Sequence, residues 1–119
     1  MYTLIGYKKC STCKNAEKYL KEKGINYIYR DIKEDKLSCD ELNEYINLSK
    51  KDIKSFFNTS GLVYKSLNLK EKLKDMTEEE KINVLSSDGM LVKRPILITN
   101  DKVLVGFKIN EWDELWWIK

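Results

Sequence analysis

Two cysteines spaced as Cys-x-x-Cys are the residues of this sequence with the clearest chemical potential. Cys10 and Cys13 enclose Ser11 and Thr12, a spacing typical of a redox-active thiol pair or of half a metal site. The chain has three cysteines and no histidine, so a single chain cannot supply a Cys₄ or Cys–His metal centre. Three cysteines with a carboxylate remain conceivable, but no motif favours that set. The absence of histidine also excludes a Ser-His-Asp triad and a Cys–His nucleophile pair. The pattern therefore favours thiol redox chemistry without a metal or an organic cofactor.

The cysteine pair lies between a predicted strand and a predicted helix. The apolar run 3–7 fits a short buried strand, and apolar spacing predicts a helix over about 11–23, with Gly24 as its stop. A second strand over 25–32 completes a βαβ unit, whose strands should be parallel with a right-handed crossover. Cys10 therefore falls at the helix N-terminus, where unpaired N–H groups and the helix dipole favour a thiolate.

The two cysteines are expected to have different roles. Cys10 is predicted to be the attacking residue, with a lowered pKa. Lys8, Lys9 and Lys14 are nearby in sequence and add positive charge that favours the same thiolate. Cys13 falls on the apolar face of the first helical turn and could resolve a mixed disulfide at Cys10. The alternative is a pair of reduced cysteines, one of them buried as a small apolar residue.

The middle of the sequence is predicted to be helical, and the last third returns to strands. Capping boxes at Ser38 and Thr77 open two of the helices. The apolar runs 95–98 and 103–107 flank a polar turn and predict an antiparallel hairpin. A terminal helix follows, with Asn110 as its expected cap and Trp112, Leu115 and Trp116 on its apolar face.

The order β-α-β, helices, β-β-α predicts an α/β fold of the thioredoxin-like type. It should contain a four-stranded mixed sheet, with a helical insertion at about 38–88 between the two halves. We expect residues 1–119 to form one domain, since this length leaves no room for a second core. The formal net charge of +3 is small and interspersed, which argues against direct nucleic-acid binding.

Cysteine usage and hydropathy predict a cytoplasmic protein. Cys10 and Cys13 are too close for a long structural cross-link, and Cys39 is left over as an ordinary helix residue. The N-terminus lacks the apolar core of a signal peptide, and no apolar run approaches membrane-spanning length. We therefore expect no membrane partner.

Arg94 and Pro95 complete the predicted site. Pro95 is the only proline, and thioredoxin-like folds place a cis-proline opposite the active cysteine, where the adjacent backbone pairs with an extended substrate. Arg94 would then lie near Cys10 and could hydrogen-bond an anionic substrate or stabilise the thiolate. The alternative is a surface arginine in an ion pair.

The sequence resembles the arsenate reductase (ArsC) family, which also holds the Spx and MgsR type of regulators. The likeness extends over essentially the whole chain. It rests on the segments 7–14, 30–32, 56–61 with Tyr64, 87–91 and 93–95. Within the family, the sequence is most similar to the small branch of arsenate reductase family proteins from Gram-positive bacteria.

The resemblance implies a set of site residues and two departures from the reductases. Cys10 matches the catalytic cysteine and Arg94 an anion-binding arginine. Reductases that use glutathione and glutaredoxin carry two further arginines, but Asn58 stands where one is expected and 105–108 offers none for the other. Cys13 supplies an internal resolving thiol, as in the Spx regulators. The residues expected around the substrate are Lys9, Ser11, Thr12, Lys14, Asn58 and Pro95.

Three functions follow from the resemblance and the cysteine pair. The first is a thiol–disulfide oxidoreductase that acts on a protein or small-molecule disulfide and is recycled by a low-molecular-weight thiol, glutaredoxin or thioredoxin. The second is a Spx-like redox-sensing regulator that binds RNA polymerase through the C-terminal domain of its α-subunit. The third is a glutaredoxin-linked arsenate reductase.

Overall fold

A four-stranded mixed sheet forms the centre of the protein. The structure, a computed structural model, describes residues 2–117. Its strands lie in the order β2-β1-β3-β4. β1 pairs in parallel with β2, and β3 is antiparallel to both β1 and β4, which confirms the predicted fold class. The strands are β1 (Tyr2–Gly6), β2 (Tyr27–Asp31), β3 (Ile96–Ile98) and β4 (Val103–Val105).

Helices cover both faces of the sheet. The crossover from β1 to β2 is α1 (Ser11–Glu22). As predicted, Gly24 stops this helix: its φ is 71°, which takes the chain out of the helical conformation. The elements between β2 and β3 are α2 (Cys39–Ser49), α3 (Leu62–Ser66), α4 (Leu69–Lys72), α5 (Glu78–Ser87) and three 3₁₀ turns at Ile53–Phe56, Leu73–Asp75 and Gly89–Leu91. The last helix is α6 (Ile109–Trp117). Within residues 2–117, no helix is long and apolar enough to cross a membrane.

Neighbouring residues of β1 point into two separate cores, because successive side chains of a strand alternate between its faces. Leu4 packs with Leu20 of α1 and Trp112 of α6 on one face. Ile5 packs with Phe56 and other apolar side chains of the helical insertion on the opposite face. The sheet is therefore a middle layer, and its edge is where the loops of both halves can meet.

Two helices of the insertion begin at the caps that the sequence predicts, whereas α6 begins one residue before its predicted cap. Ser38 and Thr77 each form a complete capping box at the N-termini of α2 and α5. The prediction that Asn110 caps the terminal helix is wrong: α6 begins at Ile109, and the carbonyl of Lys108 already accepts from the N–H of Trp112 at 3.1 Å. The side chain of Trp116, which we expected on the apolar face of this helix, lies outside the described part of the chain.

Arg30 joins the sheet to the helical insertion. Its Nη1 and Nη2 donate to the two carboxylate oxygens of Glu41 on α2, at 2.5 and 3.0 Å. The guanidinium also contacts Asp35 and donates to two backbone carbonyls in the loop between β2 and α2. The hydrogen bonds from Arg30 outweigh the effect of burial and lower the pKa of Glu41 to about 2. This arginine is therefore a structural one.

We expect Glu41→Gln to lower the free energy of unfolding at neutral pH by about 1 kcal/mol, because the pair is partly exposed. The glutamine can keep the capping hydrogen bond to Ser38 but loses the charge. Because the folded-state pKa lies below its ordinary value of 4.5, the stabilisation is complete above that pH and is lost as pH falls through about 2. Urea unfolding at several pH values measures this, with Glu44→Gln on the same helix as control. Equal effects of the two substitutions would contradict the assignment.

Candidate active site

The carboxyl end of β1 and the amino end of β3 meet at one edge of the sheet. Ile5 pairs with Ile96, so the loop that follows β1 lies beside the segment that precedes β3. The peptide bond between Arg94 and Pro95 is cis, as predicted, and Pro95 is buried. Cys10 ends the β1 loop, and Arg94 is brought to the same edge.

A tight turn sets the position of Cys10. Its N–H donates to the carbonyl of Tyr7 at 2.9 Å, which closes a turn with Lys8 and Lys9 exposed at its tip. The carboxylate of Asp31, at the end of β2, accepts from the Lys8 N–H at 3.4 Å. The turn is therefore tied to both parallel strands before α1 begins.

Cys10 is the N-cap residue of α1. Its backbone is extended, with φ −95° and ψ 117°, and its sulfur accepts a hydrogen bond from the N–H of Cys13 at 3.4 Å. An N-cap side chain normally offers an oxygen to these orphan N–H groups. Here a sulfur has that place, so the half-buried Cys10 thiolate is a direct hydrogen-bond acceptor of the helix start.

The pKa of the Cys10 thiol is lowered from its ordinary value. Burial raises the pKa, but the side chain and the backbone N–H of Cys13, together with the charge and N–H groups of Arg94, outweigh that effect. These interactions stabilise the thiolate and not the thiol. Cys10 therefore has the chemistry of a nucleophile.

Cys13 has the opposite character. It is 1% exposed, and burial together with the hydrogen bond to Cys10 raises its pKa to about 12. Burial, together with the negative charge of Asp31, also raises the pKa of Tyr29 to about 12. The inner cysteine is therefore held as a neutral thiol beside a neutral phenol.

Arg94 is fixed by contacts that leave part of its guanidinium unused. Nη1 donates to the carbonyls of Val92 and Gly89 at 3.0 and 3.5 Å, and Cζ lies 5.5 Å from the ring centroid of Tyr7. Nε is buried and has no hydrogen-bond partner among the described side chains and backbone. These contacts hold the guanidinium where its charge acts on the Cys10 thiolate.

The ArsC family model matches residues 5–115 of this chain. The chain belongs to the ArsC family. Among curated relatives, YusI from Bacillus subtilis (strain 168) is 48% identical, with 96% of this chain and 97% of YusI covered. Regulatory protein MgsR from the same organism is 28% identical, with 92% of this chain and 85% of MgsR covered.

Solved structures of family members have the same fold. An ArsC family related protein from Bacteroides fragilis is 49% identical with a TM-score of 0.93, and 96% of each chain is covered. A possible arsenate reductase from Streptococcus mutans UA159 is 37% identical with a TM-score of 0.86, covering 95% of this chain and 98% of that one. The family thus includes relatives with reductase and regulator descriptions.

The lysines of the β1–α1 region do not act on the ArsC cysteine pair as expected. Lys8 and Lys9 point into solvent at the turn, and Lys14 lines a cleft on the outer side of α1 beside Glu17. The interactions that lower the Cys10 pKa come from Cys13 and Arg94. A long, solvated ammonium contributes less than a guanidinium held by the backbone.

The other predicted substrate contacts differ in their positions. Ser11 and Thr12 are exposed in the first turn of α1, where backbone N–H groups lack helical partners. Asn58 begins a turn that ends at Gly61, and its N–H donates to the Leu91 carbonyl at 2.8 Å. Its side chain lies over Gly61, where a Cβ would be 2.7 Å from Asn58 Nδ2. Their roles toward a substrate, like those of Lys9 and Lys14, stay predictions.

Three residues of the site were missed by the sequence interpretation. A Cβ on Gly6 would lie 3.0 Å from Tyr29 Oη and 3.2 Å from Cys13 Sγ, so a side chain there would crowd both the phenol and the inner thiol. A glycine inside an apolar strand is a known sign of such close approach. Tyr7, which supports the guanidinium of Arg94, had no comparable signal beyond its position.

We expect Arg94→Met to raise the pKa of Cys10, because the substitution removes the cation that favours its thiolate. The pH profile of Cys10 alkylation by iodoacetamide should move to higher pH, while Cys13 stays unlabelled at pH values where Cys10 reacts. Lys93→Met, which removes the adjacent exposed charge, is the matched control. Labelling of Cys13 before Cys10, or equal shifts in the two variants, would contradict the assigned geometry.

Proposed function

We propose that this ArsC-family protein is a thiol–disulfide oxidoreductase, with Cys10 as the attacking and Cys13 as the resolving residue. The observation that carries the proposal is the contrast between the two thiols. Cys10 is a half-buried N-cap with a lowered pKa, whereas Cys13 is buried with its pKa raised to about 12. A pair of purely structural cysteines has no need of this contrast.

The first step is attack by the Cys10 thiolate on one sulfur of a substrate disulfide. A bond forms between Cys10 and that sulfur, the substrate S–S bond breaks, and the other substrate sulfur leaves as a thiolate. The charge of Arg94, which already stabilises the Cys10 thiolate, also favours that developing negative charge. Ser11 and Thr12 could add backbone N–H donors from the first turn of α1.

The second step uses Cys13. Once Cys10 is in a mixed disulfide it carries no charge, so the part of the raised Cys13 pKa that comes from its hydrogen bond and repulsion with Cys10 disappears. Cys13 can then lose its proton, attack the Cys10 sulfur and release the second substrate thiolate. Two electrons have passed to the substrate, and Cys10 and Cys13 are oxidised to a disulfide. A low-molecular-weight thiol, glutaredoxin or thioredoxin would restore the dithiol.

Arsenate is a poorer fit to this site. Its reduction requires several fixed positive donors, because both the oxyanion and the thiolate are negative. Arg94 is the arginine near Cys10, whereas Arg30 is occupied by Glu41 and Asp35. Removal of one well-placed donor costs about 10²–10³ in rate in known oxyanion sites, so we expect arsenate turnover to be slow.

A redox-sensing regulator is the second candidate, and the observation that favours it is the likeness to MgsR over 92% of this chain. In that case the Cys10–Cys13 pair would be a switch and not a catalyst. Binding to the C-terminal domain of the RNA polymerase α-subunit that changes with the oxidation state, without turnover, would support this function over the first.

We expect the protein to reduce a small disulfide such as bis(hydroxyethyl) disulfide faster than the glutaredoxin or thioredoxin coupling system does alone. Cys10→Ser should lower the rate to that of the coupling system because the attacking thiolate is gone, and Cys13→Ser should stop at a mixed disulfide that mass spectrometry detects. Cys39→Ser is the control, since the Cys39 thiol contacts Asn83 and Ser86 between α2 and α5. Its turnover should equal that of the unmodified protein.

The same assay with arsenate separates the enzymatic alternatives. Arsenate turnover comparable with disulfide turnover would overturn the proposal in favour of a reductase. Disulfide turnover that survives Cys10→Ser would remove the assigned nucleophile.

A further inference from the structure

A groove lined by lysine side chains lies beside the helical insertion. It consists of three clefts of about 530, 280 and 370 Å³, which all include Lys54 in their walls. Lys70 lines two of these clefts, and Lys65, Lys93 and Lys108 each line one. We refer to the three clefts together as the lysine groove.

The lysine groove is strongly positive although the whole chain has a formal net charge of only +3. Within residues 2–117, the five lysines named above form no ion pair. Three further lysines line the groove, and each is paired with a glutamate: Lys51, Lys74 and Lys81. The carboxylate among the lining residues is Asp52, which accepts from the backbone N–H of Lys54 at 2.9 Å. A cleft lined by charges of one sign raises the local concentration of a partner of opposite charge.

The form of the lysine groove favours an acidic polypeptide over a nucleic acid or a compact anion. Its ammonium groups are distributed over three clefts, an arrangement that suits several separate carboxylates better than one phosphate. Binding of single-stranded nucleic acid relies on exposed aromatic faces for base stacking. The aromatic rings at this groove, Phe57 and Tyr64, are buried and packed edge-on at 6.1 Å between centroids. Among the described residues, neither Arg30 nor Arg94 lines these clefts, so no guanidinium is placed to bind phosphate in a bidentate manner.

One lysine of the groove is next in sequence to the arginine that acts on the cysteine pair. Lys93 lines the groove, and its N–H donates to the carbonyl of Phe56 at 2.8 Å. The next residue is Arg94, whose charge acts on Cys10. Consecutive residues of the segment before β3 therefore serve the lysine groove and the cysteine pair, which keeps the two a short distance apart along the backbone.

We propose that the substrate of Cys10 is a protein disulfide flanked by acidic residues, which docks its acidic segment in the lysine groove. This inference rests on the proposed oxidoreductase function. Cys10 forms a bond with one sulfur of the partner while the partner's S–S bond breaks. Cys13 then closes the Cys10–Cys13 disulfide, and the partner leaves with two thiols and two more electrons.

The test compares single-turnover rates of the reduced protein with two peptides that carry the same disulfide between acidic or between basic flanks. At low salt we expect the acidic peptide to react about tenfold faster. The difference should vanish at about 1 M salt, where the Debye length is ~3 Å. Lys54→Glu/Lys70→Glu should remove the preference, and Lys18→Glu/Lys21→Glu on α1, outside the lysine groove, should retain it.

Two further measurements separate this inference from the proposed function. Bis(hydroxyethyl) disulfide has no charge, so both double variants should reduce it at the same rate. If the unmodified protein does not reduce this disulfide, the oxidoreductase function itself is rejected. Fluorescence anisotropy with a cysteine-free acidic peptide tests the groove without redox chemistry. Tighter binding of a single-stranded oligonucleotide of equal charge, equal rates for the two peptides, or no loss of acidic-peptide binding in Lys54→Glu/Lys70→Glu would each overturn the proposal.

Discussion

The hydrogen bond from the Cys13 N–H to the Cys10 sulfur joins the start of α1 to the chemistry of the cysteine pair. A helix must satisfy its first N–H groups, and serine, threonine, aspartate or asparagine is the usual N-cap. Cysteine in this place is a weaker cap as a thiol but a charged acceptor as a thiolate. The same bond therefore lowers the pKa of Cys10 and stabilises the helix. This stabilisation is complete above the unfolded-state pKa and is lost as pH falls through the lowered folded-state pKa.

The rest of the site maintains the contrast between the two thiols. Gly6 leaves space on β1 for Cys13 to be buried, and burial keeps that thiol protonated. Arg94 is held by backbone carbonyls and the Tyr7 ring, so its charge acts on Cys10 from a fixed position. The parallel and antiparallel partners of β1 supply these contacts from opposite sides. The fold thus favours the thiolate of Cys10 and keeps Cys13 as a protonated thiol.

Local patterns were sufficient to predict most of the fold and the centre of the site. The capping boxes, the βαβ spacing and the hairpin each depend on residues close in sequence, and so does the location of Cys10 at a helix start. Contacts between segments that are distant in sequence were harder to predict. The two arginines look alike in sequence, yet Arg30 binds Glu41 across the insertion and Arg94 acts on Cys10. Whether Lys8, Lys9 and Lys14 act on Cys10 depends on side-chain direction, which sequence spacing does not contain.

The formation of an intramolecular disulfide tests the central claim most directly. The protein is equilibrated in glutathione redox buffers of increasing oxidation, the free thiols are blocked, and peptide mass mapping identifies the linked cysteines. We predict that Cys10 and Cys13 become linked in one two-electron step while Cys39 stays a free thiol. A dominant dimer linked through Cys39, or stable glutathione adducts on Cys10 without closure to Cys13, would contradict a resolving role for the buried thiol.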